Sequence, residues 1–200
     1  MNIIPKRILV LIPLLLLSQL AVASINLSFT PITQSANSLE IGIAIAGLDE
    51  GIAPSLSYYD FDIGFDHNQL TFVNAIFGDN LLGNQLDLFN FNDNVTSAEI
   101  ISPGLLNLSE VSFDSATDLN NLQADSFTLA TLNFQIVNPG TSLMSLAVLG
   151  LGDADSNSLS VANITAPITT VPLPSAFILM ASSLIGLVYT GNRRRVNPLH

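Results

Sequence analysis

Two stretches alternate apolar and polar residues with a period of two. In Leu39-Glu40-Ile41-Gly42-Ile43-Ala44-Ile45-Ala46 the large apolar residues take the odd positions. In Tyr59-Asp60-Phe61-Asp62-Ile63-Gly64-Phe65-Asp66 aromatic and aliphatic residues alternate with Asp and Gly. A chain with this pattern hides one face and wets the other only as an extended strand; helical spacing of 3.6 scatters the apolar set around the axis. Further strands are expected at Ile25–Ile32, Leu70–Ile76, Ser97–Ser102, Leu105–Phe113, Phe127–Ile136, Thr141–Leu149 and Leu159–Thr165. Within Phe127–Ile136 the apolar parity changes between Leu129 and Leu132, which predicts a β-bulge or a strand shared by two sheets. Turn residues punctuate the run at Asp66-His67-Asn68, Pro103-Gly104 and Asn138-Pro139-Gly140, and Asp118–Gln123 is the one expected helical turn. Many short strands between turns predict an all-β antiparallel sandwich over residues 24–165, followed by a linker over 166–170.

Charge narrows the function. The 200 residues carry 5 Lys+Arg against 16 Asp+Glu, a net charge of −11. The basic residues are Lys6, Arg7, Arg193, Arg194 and Arg195, so Ile8 to Asn192 contains no Lys or Arg, while every acid lies between Glu40 and Asp155. Phosphate neutralisation, and with it nucleic-acid binding, has no residues to work with. A Schiff-base lysine and an arginine clamp are excluded on the same ground. Zero cysteines remove thiol nucleophiles and leave no disulfide to support the fold.

The ends read as export signals. Lys6-Arg7, the apolar run Ile8 to Leu17 and Ala21-Val22-Ala23 have the layout of a signal peptide over 1–23, cut before Ser24. At the other end Val171-Pro172-Leu173-Pro174 precedes the apolar stretch Ser175 to Tyr189, and Arg193-Arg194-Arg195 follows, with residues 196–200 as a tail. Fifteen helical residues span roughly 22 Å, short of a bilayer core, so the helix is expected to run on with its arginines snorkelling on the cytoplasmic side.

Pro-x-Pro, a short apolar helix and an arginine cluster resemble the PEP-CTERM sorting signal, over residues 171–195; a plain tail anchor is the alternative reading of the same layout. The resemblance implies processing by an exosortase in the membrane, and a structural or adhesive role in exopolysaccharide or biofilm at the envelope or outside the cell. Leu173 departs from the usual Glu between the prolines.

The middle resembles cohesin domains. The resemblance rests on Tyr59–Asp66 leading into Leu70-Thr71-Phe72-Val73, on Leu122–Phe134, and on the acidic turn Leu151-Gly152-Asp153-Ala154-Asp155. It implies a nine-stranded jelly-roll sandwich akin to carbohydrate-binding modules, and opens the alternative of a module that binds a protein partner or a polysaccharide.

Candidate sites are few. Asp153-x-Asp155-x-Asn157 has the spacing that opens a Ca²⁺ loop, but Ser158 stands at the glycine place and Ile164 at the closing acid; a solvated turn accounts for the same residues. Asp60, Asp62 and Asp66 read as the wet face of a strand. His67, flanked by Asp66 and Asn68, reads as a turn residue. No catalytic or cofactor-binding residue is assigned, since no carboxylate pair, triad or Gly-x-Ser-x-Gly stands out, and a hydrolase is the least supported reading. The chain has no Trp, and of Tyr58 and Tyr59 alternation turns one inward, which argues against a flat sugar-binding strip. Sequons at Asn26, Asn94, Asn107 and Asn163 are what an Asn/Ser-rich chain produces by chance.

Overall fold

A computed structural model describes residues 24–48 and 54–170. They form two packed antiparallel sheets. One has the order β1 (Asn26–Gln34), β2 (Ser38–Ala46), β7 (Ser126–Ile136), β4 (Leu70–Phe77). The other has the order β5 (Val95–Ser102), β6 (Leu105–Val111), β3 (Tyr58–Gly64), β8 (Gly140–Gly152), β9 (Ile164–Thr170). The described residues adopt the expected all-β sandwich, with nine strands among them.

Alternation decides which residues meet between the sheets. From β2 come Ile41, Ile43 and Ile45; from β3 come Tyr59, Phe61 and Ile63, each almost wholly buried. Phe134 of β7 packs edge-on against Phe65 at 5.1 Å and against Phe72 at 5.8 Å, so one ring ties the two layers together. Buried side chains of this size each contribute about 1.5–3 kcal/mol by leaving water. With no intradomain Lys or Arg, this apolar layer and the strand hydrogen bonds carry the fold.

The parity change in β7 is a bulge inside one sheet. Pairing with β2 steps from Ile43↔Ala130 to Ala44↔Thr128 and leaves Leu129 without an opposite residue. Leu129 and Ala130 are therefore both buried.

The C-terminal part differs from the expectation. Residues 159–163 are not a strand, and 166–170 is not a linker: β9 occupies Ile164–Thr170 and pairs with β8 from Leu146↔Ile164 to Gly140↔Thr170. Pro167 sits inside this strand. On an edge strand its missing N–H costs nothing if it faces away from the ladder, and the inward set is Ile164, Ala166, Ile168 and Thr170. The helical turn is α1 (Ala116–Leu122), capped by Ser115, whose side chain accepts from the Asp118 amide at 3.1 Å and donates to the Asp118 carboxylate at 2.6 Å.

The register gives the sandwich two distinct ends. At the turn end lie Asp66–Gln69, the Pro103-Gly104 turn, Asn138–Gly140 and Thr170. At the loop end lie the long connection 78–94, α1 and the turn 153–157.

Candidate functional site

One candidate surface is the outer face of the five-stranded sheet. β3 turns Tyr59, Phe61 and Ile63 inward, so Tyr58, Asp60 and Asp62 face out. Asn107, opposite Asp62 on β6, donates through Nδ2 to Asp60 Oδ1 at 2.8 Å and to Asp62 Oδ1 at 3.2 Å. One amide thus holds two carboxylates in a fixed row. Exposed apolar residues lie on the neighbouring strands of this sheet: Val95 and Ile101 on β5, Val111 on β6, and Leu149 and Leu143 on β8. Ile101 and Leu149 stand out because each is the extra residue at a register shift.

Tyr58 lies flat on this face. A Cβ at Gly152 would sit 2.0 Å from its Cε1, and one at Gly150 would sit 3.0 Å from its Cε2, so these two glycines make the ring's seat. Of the adjacent tyrosines, Tyr59 is the inward one. Asp66 lies beyond the strand end and is a turn former: its Oδ1 accepts from the Asn68 amide at 2.9 Å and from Asn68 Nδ2 at 3.1 Å. His67 is an exposed residue of that turn.

The Asp153–Asn157 turn is closed by its own side chains. Asp153 Oδ1 accepts from the Asn157 amide at 2.7 Å and Oδ2 from Asn157 Nδ2 at 2.8 Å. Asp155 Oδ2 accepts from Asn120 Nδ2 of α1 at 3.1 Å. Asp153 is buried, while Asp155 and Asn157 are exposed, and among the described residues no three His, Cys, Asp or Glu side chains group to hold a metal ion.

Several polar residues at the loop end were not anticipated. Glu110 is fully buried (0 % exposed) and accepts from Tyr59 Oη at 3.0 Å, Asn84 Nδ2 at 2.6 Å and Asn94 Nδ2 at 2.5 Å. Burial pushes its carboxyl above the usual range; the three donors oppose this, and the nearby charge of Asp87 adds to it. Burial raises the Tyr59 phenol well above its usual value too, helped by the Glu110 charge and hydrogen bond. Gln123, also buried, donates through Nε2 to the carbonyls of Leu56 (2.9 Å) and Gln85 (2.8 Å) and accepts the Leu56 amide at 2.6 Å. A signal for Glu110 was in the sequence: in Leu106-Asn107-Leu108-Ser109-Glu110 it takes the apolar parity.

Ser24 is the first described residue and is exposed. The rest of the expected cleavage site, Ala21 and Ala23, and the expected sorting motif, Val171, Pro172, Leu173, Pro174, Arg193, Arg194 and Arg195, lie outside the described residues. Among the described residues no helix is long and apolar enough to cross a membrane.

No protein-family model and no curated protein matches the chain. Solved structures do. A type I cohesin of Clostridium thermocellum, in complex with a dockerin, is 12% identical with a TM-score of 0.57 and covers 74% of this chain and 99% of its own. The sixth cohesin of the scaffoldin B of Acetivibrio cellulolyticus, also in complex with a dockerin, is 18% identical (TM-score 0.53; 71% and 96% covered). A non-cellulosomal cohesin of the archaeon Archaeoglobus fulgidus is 12% identical (TM-score 0.54; 78% and 96% covered). At these identities the likeness is one of fold: residues 24–170 adopt the two-sheet antiparallel sandwich of cohesin modules.

Proposed function

We propose that this domain is a non-catalytic recognition module that docks a folded protein partner of the dockerin kind on the outer face of its five-stranded sheet. The observation that carries the reading is the pairing of a cohesin-type sandwich with a strand face on which exposed apolar side chains accompany a fixed pair of carboxylates. Val95, Ile101, Val111, Leu143 and Leu149 are large and exposed there, and Asp60 and Asp62 are fixed among them by Asn107. Prepositioned carboxylates among apolar side chains suit a partner that brings Lys or Arg to the centre of an apolar contact. The reading supports protein recognition over polysaccharide recognition, since the face offers one aromatic ring, Tyr58, and no strip of them.

The flanking segments give the setting. A signal peptide cut before Ser24 and a PEP-CTERM-type tail processed by an exosortase would export the domain and deliver it to the envelope or the extracellular matrix. Partner capture there would serve a structural or adhesive role.

Calorimetric titration of the full-length protein with recombinant type I and type II dockerin modules tests the recognition reading. Binding is expected to one class, weakened about tenfold by Asp60→Asn/Asp62→Asn. The absence of binding to either class rejects it. Mass spectrometry of the native protein tests the setting, which fails if residues 1–23 and the arginine tail are both retained.

A further inference from the structure

The loop end of the sandwich carries apolar side chains that an isolated domain has no reason to expose. Leu81 is 90 % exposed, Phe91 70 % and Phe113 62 %, and Phe89 is nearly half exposed. They belong to one neighbourhood. The Leu88 amide donates to Asp114 Oδ2 at 2.7 Å, so Phe89 and Phe113 flank the same bond. Phe91 stacks on Phe89 with ring centres 5.7 Å apart. Asp79 and Asn80, just before Leu81, and Asn90 and Asn92, either side of Phe91, all line one cleft of about 500 Å³.

The loop is held in place rather than left loose. Asp87, buried, accepts the Phe91 amide at 2.8 Å and the Asn92 amide at 3.0 Å. Asn90 and Asn92 adopt the left-handed region, at φ 54° and 55°, which fixes the turn between the rings. Asp79 accepts the amides of Leu81, Leu82 and Thr128, and together these outweigh its partial burial and keep it ionised to low pH. Exposed apolar groups on a pre-ordered frame lose little entropy when covered, which is what a docking surface needs.

Charge selects the occupant. No Lys or Arg lies between Ile8 and Asn192, and Asp93, Asp114, Asp118, Asp125 and Asp155 all belong to segments at this end. A second copy would bring like charge to like, and an anionic membrane surface or a nucleic acid would be repelled. We infer that the loop end is a second docking surface, for a protein segment that carries Lys or Arg among apolar side chains. The inference rests on the recognition reading above only for the class of partner, and uses a different part of the molecule.

The test uses the full-length protein and a labelled synthetic peptide of Arg, Leu and Ala, with the matching Glu, Leu and Ala peptide as control, followed by fluorescence anisotropy at ~0.15 M salt. The arginine peptide is expected to bind and the glutamate peptide not to. Phe89→Ser/Phe91→Ser is expected to weaken binding about tenfold and Leu81→Ser severalfold, with melting temperatures unchanged because these side chains are exposed. Asp60→Asn/Asp62→Asn on the sheet face is expected to leave it within about twofold. Failure of the arginine peptide to bind, equal binding of both peptides, or a loss on the sheet-face variant and not on the loop variants would overturn the inference. A failed dockerin titration beside the expected peptide result removes the sheet-face reading alone.

Discussion

The two ends of this sandwich solve the same problem in different ways. At the turn end the strands reverse over a few residues, with short polar side chains satisfying the backbone within a turn, as when Asp66 Oδ1 accepts the Asn68 amide at 2.9 Å, or from the next turn, as when Asn138 Nδ2 donates to the Asn68 carbonyl at 2.6 Å. At the loop end the long connection 78–94 cannot be held by local turns. It is stitched to the core by buried polar side chains: Glu110 through Asn84 and Asn94, Gln123 through Leu56 and Gln85, and Asp87 through its own loop. An interior without cations makes these neutral donors indispensable, because a buried carboxylate with no counter-charge must be matched by hydrogen bonds. The lesson is that the turn end is the inexpensive closure and the loop end the surface on which the chain spends buried polarity.

Substitutions can break that contrast, and the largest effect belongs to Glu110→Ala. It strands the donors of Tyr59, Asn84 and Asn94 in the core, and a loss of about 3 kcal/mol or more in chemical denaturation is expected. Gln123→Ala follows at about 2–3 kcal/mol, since it leaves the Leu56 amide and two carbonyls unpaired in a buried site. Glu110→Gln keeps an acceptor for both asparagines and removes the ionisation. Because the fold holds this carboxyl above its usual range, Glu110 supports stability most when protonated, and that support is lost as pH rises from the ordinary glutamate value towards the raised one. The melting temperature of Glu110→Gln relative to the parent should therefore climb as pH increases across that window; a flat difference contradicts the assignment. The smallest effect is at the turn end, where Asn138→Ala breaks one exposed hydrogen bond and should cost about 0.5 kcal/mol.

What was legible in the sequence follows the same division. Period-two alternation placed β2 and β3 and assigned the faces of Asp60 and Asp62, because burial on one side of a strand leaves a direct trace in residue type. The doubled apolar parity at Leu129 announced the bulge in β7 for the same reason. The expected strand Leu159–Thr165 stopped short of β9 because the inward set Ile164, Ala166, Ile168 and Thr170 mixes small and polar residues and leaves only a weak apolar alternation. Parity turned Glu110 inward, but the network around it was not legible: its partners Asn84 and Asn94 lie in the long connection 78–94, which carries no periodic pattern. Tyr58 and Tyr59 could be divided by parity, but the seat that Gly150 and Gly152 form beneath Tyr58 depends on strand pairing across almost a hundred residues.

The central claim is that a protein partner is recognised on the outer face of the five-stranded sheet and not on that of the other. Methyl NMR of the full-length protein, titrated with the dockerin module that binds it, reads this directly. The account predicts that resonances of Val111, Leu149 and Ile101 move on binding while those of Val73 and Ile76, exposed on the four-stranded sheet, stay in place. Shifts at Val73 and Ile76 with Val111, Leu149 and Ile101 unmoved would contradict it.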